Sequence, residues 1–218
     1  MKTKINEIFS SIQGEGPVVG YKQLFIRFCG CNLKCEYCDT EFLQGEEYTA
    51  QELYEKVSKE YDLRSFHSVS LTGGEPLLHA EFLKEFLPLI KEETKIYLET
   101  NATLPKNLEI IKDYIDIISA DIKLAIDPEI HREFFAKCRG VDTFAKIVFD
   151  ENITDEQIQT CCEIGSKFGI ELVLQPKMGI DNKMCVTSEF CNLILDKFTS
   201  IYHNVRLIPQ VHKFLDVR

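Results

Sequence analysis

The run Cys29-Gly30-Cys31-Asn32-Leu33-Lys34-Cys35-Glu36-Tyr37-Cys38-Asp39-Thr40 sets three thiols, Cys31, Cys35 and Cys38, in a CxxxCxxC spacing. Three close thiolates can hold three corners of a cubane iron–sulfur cluster, because sulfur is the soft ligand that such clusters select. The fourth iron then lacks a protein ligand and can take a small molecule. Cys29 makes the loop a four-thiol CxCxxxCxxC, so spacing alone also accommodates an all-thiolate zinc site or an electron-transfer cluster. Cys29 belongs to the end of the preceding strand, Gln23–Phe28, and by alternation points to the other face from Phe28.

A second motif narrows the choice. Leu71-Thr72-Gly73-Gly74-Glu75-Pro76 follows the apolar run Ser68–Leu71. Paired glycines at a strand end let backbone approach a ligand closely, and a carboxylate there can receive a charged amine. A lone Gly-Gly is commonly just a turn. Together with the cysteine loop, however, it resembles the radical S-adenosylmethionine (SAM) superfamily, in which the open iron chelates SAM and GGEP holds its amino group.

The remaining composition fits an enzyme. The chain has 218 residues, enough for one domain with a full core, spanning 1–218. Its net charge of −10 argues against a general nucleic-acid binder. No apolar stretch reaches bilayer-spanning length, and Met1–Gln13 lacks the apolar region of a signal peptide, so no membrane association and a cytoplasmic location are expected. Nine cysteines are an odd number in a chain that does not look secreted. Cys138, Cys161, Cys162, Cys185 and Cys191 lack ligand spacing and are read as buried hydrophobes.

From Lys22 onward, β-rich runs alternate with amphipathic stretches. Strands are expected at Gln23–Phe28, Ser68–Leu71, Lys95–Glu99, Ile117–Ile122, Ala145–Phe149, Ile170–Leu174 and Val205–Ile208. Helices are expected at Ala50–Tyr61, Ala80–Lys91, Lys106–Tyr114, Pro128–Lys137, Asp155–Phe168 and Ser188–Thr199. Thr49 with Glu52, and Thr154 with Gln157, read as capping boxes. Such alternation implies a parallel sheet with right-handed crossovers, either open and doubly wound or curved into an incomplete barrel. Most of the strand ends carry polar or glycine-rich signatures. Strand ends that converge on one mouth would gather them into one site. The fold expected is therefore α/β, a partial (incomplete) β/α barrel of the radical SAM type.

Further motifs resemble one family within that superfamily, the 7-carboxy-7-deazaguanine synthases. They are Phe9-Ser10-Ser11-Ile12-Gln13-Gly14-Glu15-Gly16, Arg27, Cys38-Asp39-Thr40 and Ile208-Pro209-Gln210-Val211-His212-Lys213. Activases of glycyl-radical enzymes share the cluster loop but not the QGEG segment, and a bare iron–sulfur or zinc module would need only the thiols. The resemblance implies conversion of 6-carboxy-5,6,7,8-tetrahydropterin to 7-carboxy-7-deazaguanine with loss of ammonia, in queuosine and 7-deazapurine biosynthesis. It implies a 4Fe–4S cluster on Cys31, Cys35 and Cys38, with SAM as cofactor. It also implies Mg²⁺ on Thr40, an external one-electron reductant of flavodoxin or ferredoxin type, and a homodimer.

The same resemblance assigns SAM contacts to Tyr37, Cys38, Asp39, Gly74, Glu75, Glu99, Asn101, Asp121, Lys123, Gln175 and Pro176. Substrate contacts fall to Ile12, Gln13, Gly14, Glu15, Arg27, Thr72, His212 and Arg218. Gln13, Gly14 and Glu15 would offer amide, backbone and carboxylate partners to the pterin edge, and Arg27 would meet the substrate carboxylate as a bidentate fork. The chain departs from the family's pattern at Tyr37 (commonly Trp), Ala102 (Gly) and Asp121-Ile122-Lys123 (Ser-Pro-Lys).

Overall fold

Residues 1–35, 44–179 and 181–217 are described by a computed structural model. Their strands form one sheet of nine, in the order β3-β1-β2-β4-β5-β6-β7-β8-β9, which does not close on itself. In chain order these are β1 (Lys2–Ile12), β2 (Lys22–Phe28), β3 (Glu46–Thr49), β4 (Ser68–Gly73), β5 (Lys95–Thr100), β6 (Ile117–Asp121), β7 (Asp142–Phe149), β8 (Glu171–Pro176) and β9 (Val205–Leu207). From β2 and β4 through β9 every pairing is parallel. The β1 strand is antiparallel to both β2 and β3.

The helices are α1 (Ala50–Glu60), α2 (Ala80–Ile90), α3 (Pro105–Ile111), α4 (Pro128–Lys137), α5 (Asp155–Phe168), α6 (Ser188–Ile201) and α7 (Val211–Leu215). Both anticipated capping boxes form, Thr49 with Glu52 and Thr154 with Gln157. A left-handed Gly169 ends α5 where a side chain would be strained.

Alternation along the strands divides the molecule. Leu24, Ile26, Val69, Leu71, Ile96, Leu98, Ile118, Ala145, Ile147, Leu172 and Leu174 share one large buried cluster with the apolar faces of the helices. Their intervening neighbours turn to the other face. There Tyr97, Ile117, Phe144, Val173 and Ile208 form a small second cluster. Further along the same face, toward the C-terminal strand ends, the residues become polar: Arg27, Thr72, Glu99, Asp121, Lys146 and Gln175. A period of two thus places six chemistry-bearing side chains from six strands on one surface.

Three elements were not anticipated. Polar residues interrupt the pattern of β1, which also carries a register shift between Ile5 and Glu7. The β3 strand is only four residues long. The segment after Pro209 forms the short α7, where no helix was expected. Among the scattered cysteines, Cys138, Cys161, Cys162 and Cys191 are buried as expected, whereas Cys185 is exposed.

Candidate active site

The C-terminal strand ends frame a cleft of about 190 Å³ that contains the thiols of Cys31 and Cys35. Gly74 shapes its floor. A Cβ there would lie 1.9 Å from the carbonyl oxygen of Gly30, so only a glycine lets the end of β4 meet the cysteine loop backbone to backbone. The N–H of Glu75 donates to that same carbonyl at 2.9 Å. Asn101 tethers the loop from β5, its Nδ2 donating to Asn32 Oδ1 at 2.9 Å.

A second cleft of about 380 Å³ lies beside the first and is lined by Phe9, Ile12, Gln13, Gly14, Phe25, Arg27, His212 and Val217. Glu15, Thr72, Glu99, Gln210 and Lys213 line both. The α7 helix closes one side of it. A Cβ on Gly14 would fall 2.2 Å from His212 Nδ1, and Val211 N–H donates to the Gly14 carbonyl at 2.9 Å.

A ladder of alternating charge runs through the shared wall. Lys146 Nζ pairs with Glu15 Oε2 and with Asp121 Oδ1, the latter at 3.2 Å; Asp121 Oδ2 receives Lys123 Nζ at 2.7 Å. Burial pushes the Glu15 carboxyl up, but the Lys146 charge and donation from Lys146 and Gln210 outweigh it and hold it at about 2. Burial likewise depresses Lys146, yet Asp121, Glu15 and Glu99 raise it well above an ordinary lysine. Glu99 moves the other way from Glu15. Burial raises its carboxyl, despite the charge of Lys146 and hydrogen bonds from Gln13 and Thr72.

The structure sorts the residues expected from the sequence. Gly74, Glu99, Asn101, Asp121, Lys123 and Gln175 line the cysteine cleft; Ile12, Gln13, Gly14, Glu15, Arg27, Thr72 and His212 line the second. Tyr37, Cys38, Asp39, Thr40 and Arg218 lie outside the described residues. Cys29 does not face the cleft; its thiol donates to the carbonyl of Gln44 at 3.3 Å and is raised by burial.

Three placements differ from a ligand-facing role. Glu75 is fully buried, and its carboxylate accepts from Asn101 N–H at 2.7 Å, Leu77 N–H at 3.0 Å and Thr100 Oγ1 at 2.9 Å. It braces two strand ends instead of opening to the cleft. Pro176 is buried at the end of β8 and does not line the cleft, which its neighbours Gln175 and Lys177 do. Gln13 turns its amide inward, its Nε2 donating to Gln23 Oε1 and Glu99 Oε1, each at 2.9 Å, while its Oε1 receives Glu15 N–H at 3.0 Å.

Arg27 pairs with Glu7 at 3.0 Å and lies over the Phe9 ring, but its buried Nε has no hydrogen-bond partner among the described residues. Lys146 was missed by the sequence reading. Its signal was present: a lone cation at an inward position of the apolar strand Phe144-Ala145-Lys146-Ile147-Val148-Phe149.

Residues 25–167 match the family model described as the radical SAM superfamily. The chain is 37% identical to the 7-carboxy-7-deazaguanine synthase of Archaeoglobus fulgidus, with 100% of both chains covered. It is 35% identical to that of Methanothermobacter thermautotrophicus, covering 100% of this chain and 99% of the relative. The crystal structure of QueE from Escherichia coli shares the fold, with a TM-score of 0.68 and 19% identity over 97% of this chain and 95% of the other. The thiols of Cys31 and Cys35 at the cleft, the GGEP backbone set against their loop and these likenesses agree: the chain belongs to the radical SAM superfamily and, within it, to the 7-carboxy-7-deazaguanine synthase family.

Proposed function

We propose that this chain, as one catalytic unit, converts 6-carboxy-5,6,7,8-tetrahydropterin to 7-carboxy-7-deazaguanine with loss of ammonia. The observation that carries this reading is the wall shared by the two clefts, formed by Glu15, Thr72, Glu99, Gln210 and Lys213. A cofactor that must act on a second molecule needs the two held in contact, and adjoining clefts provide that.

Family membership brings a 4Fe–4S cluster and SAM, and the residues present suit them. Cys31 and Cys35 offer soft thiols at the cleft, half-exposed, and Gln175 Oε1 is buried there without a donor among the described residues. With Cys38 they would hold the cluster, and Gly74, Glu99, Asn101, Asp121, Lys123 and Gln175 would surround SAM. When bound, this pair supplies one-electron chemistry that the protein itself lacks.

The chain's own residues orient and enclose. Arg27 would grip the substrate carboxylate through the donor that Glu7 leaves open, and Phe9 fixes the plane of its guanidinium. His212 stands against Gly14 and would complete that end of the groove. Thr40 would give Mg²⁺ a hard oxygen ligand beside the same carboxylate, and Arg218 would contact the substrate. The reductant would be a flavodoxin- or ferredoxin-type protein, and the active form a homodimer. No helix among the described residues is long and apolar enough to cross a membrane.

The test is to incubate the cluster-loaded protein with reductant, SAM and the carboxy-tetrahydropterin and follow product by mass. Formation of 7-carboxy-7-deazaguanine is expected. SAM cleavage without it would overturn the substrate assignment.

A further inference from the structure

Glu15 is the hub of a buried assembly whose members come from three distant strands or turns. Lys146 holds Oε2, while Oε1 receives Gln210 Nε2 at 2.6 Å and Gln175 Nε2 at 3.3 Å. An ionised carboxylate accepts hydrogen bonds and cannot donate them. Both glutamines must therefore turn their NH₂ groups toward Glu15, which leaves their carbonyl oxygens directed elsewhere. For Gln175, only 3% exposed, that oxygen has no partner among the described residues. An unmet buried acceptor costs about 1–3 kcal/mol, so it is a position that a donor from outside the protein would fill.

We propose that Lys146 is a positioning residue: by keeping Glu15 an acceptor-only carboxylate, it turns the Gln175 and Gln210 amides so that their carbonyls accept from N–H groups of the bound ligands. Gln175 lines the cysteine cleft and Gln210 lines both clefts, so one ion pair sets the polarity of the wall between them. Were Glu15 protonated, its hydroxyl would donate and a glutamine could reverse. The wall would then offer NH₂ groups to a ligand edge that is itself rich in N–H donors. This rests on the proposed reading, in which SAM carries amino groups and the pterin a donor-rich edge.

The charged groups that act on Lys146 come from three elements: Glu15 from the turn after β1, Glu99 from β5 and Asp121 from β6. Removing the ammonium leaves Glu15 and Glu99 without its compensating charge, while Asp121 keeps Lys123, so Lys146→Met alone would mix a folding defect with a positioning one. Glu15→Gln avoids this, since Lys146 keeps Asp121. The pair Lys146→Met/Glu15→Gln removes cation and anion together.

The experiment measures binding of SAM and of the carboxy-tetrahydropterin separately, by equilibrium dialysis on cluster-loaded protein, alongside thermal melting. Glu15→Gln is expected to melt near wild type yet bind at least one of the two ligands five-fold or more weakly, because a neutral amide no longer dictates which way its neighbours face. The double variant is expected to recover the melting temperature lost in Lys146→Met without recovering affinity. Loss for one ligand alone assigns the carbonyls to that ligand. Wild-type affinity for both ligands in Glu15→Gln, or recovery of affinity in the double variant, would overturn the positioning role. Failure of wild-type protein to bind the pterin would instead remove the substrate reading.

Discussion

His79 Nε2 donates to the carbonyl of Cys29 at 2.8 Å, and its Nδ1 accepts from Thr3 Oγ1 at 2.6 Å. The ring also stacks on Phe28, with centroids 5.3 Å apart. One neutral imidazole thus ties β1 to the last residue before the cysteine loop, and the two bonds fix its tautomer.

Replacing it tests that tie. His79→Ala leaves the Cys29 carbonyl and the Thr3 hydroxyl without partners, at a cost of about 1–3 kcal/mol in urea unfolding. Iron retained per chain after reconstitution is expected to fall too, because the loop loses its anchor. Wild-type stability together with full iron content would show the contact to be incidental.

Acid should unfold the protein partly through its histidines. Burial depresses both His79 and His131 below the ordinary imidazole value. The unfolded chain then binds protons that the folded one refuses, so their contribution is complete above about pH 6.5 and is lost as pH falls below it. Urea midpoints measured downward from pH 7.5 should decline from that point, and less steeply in His79→Asn. An unchanged slope in that variant would assign the decline to other groups.

Glu75 has the opposite sign. Burial raises its carboxyl to about 7, against donation from Asn101, Leu77 and Thr100 and with Asp121 adding repulsion. A raised carboxyl contributes most below its unfolded value, near 4.5, and that contribution is lost as pH rises through about 7. Glu75→Gln should therefore lose less stability than wild type across that interval, by on the order of 3 kcal/mol. Parallel pH profiles for the two proteins would contradict it.

Gly74→Ala would set a methyl against the Gly30 carbonyl. Separation of the two backbones is expected to cost about 1–3 kcal/mol and to weaken SAM binding. Calorimetric titration of SAM into the cluster-loaded variant checks this; an affinity equal to wild type would mean that the loop and strand end can part freely.

Arg27→Lys retains a cation for Glu7 but loses the planar fork and the Nε donor. The pterin should bind at least ten-fold more weakly while SAM affinity stays within two-fold. Equal pterin affinity would make Arg27 a partner of Glu7 alone.

The elements with strong local signals were legible in the sequence. The α4 and α5 helices occupy the residues expected for them, Pro128–Lys137 and Asp155–Phe168, and α5 begins at the capping box of Thr154 with Gln157. Strand cores were legible as well, because buried parallel strands are continuous apolar runs. The β1 strand was not, since Lys2, Lys4, Asn6 and Glu7 break its pattern and its pairing is fixed by a distant partner. The cysteine loop and GGEP announced themselves through spacing. Lys146, Gln13 and Glu75 did not, because their roles depend on what lies opposite them. In sequence, a glutamine that faces a ligand and one that faces Glu99 look the same.

The partners of Glu15 lie 131, 160 and 195 positions further along the chain. Contacts of such span close the largest loops and form late in folding. A chain emerging from the ribosome carries Glu15 long before Lys146, and still longer before Gln210. Until then its carboxylate has to remain solvated. The site therefore cannot be completed until nearly the whole chain has been made, whereas the packing of the first strands and helices needs no residue from its end.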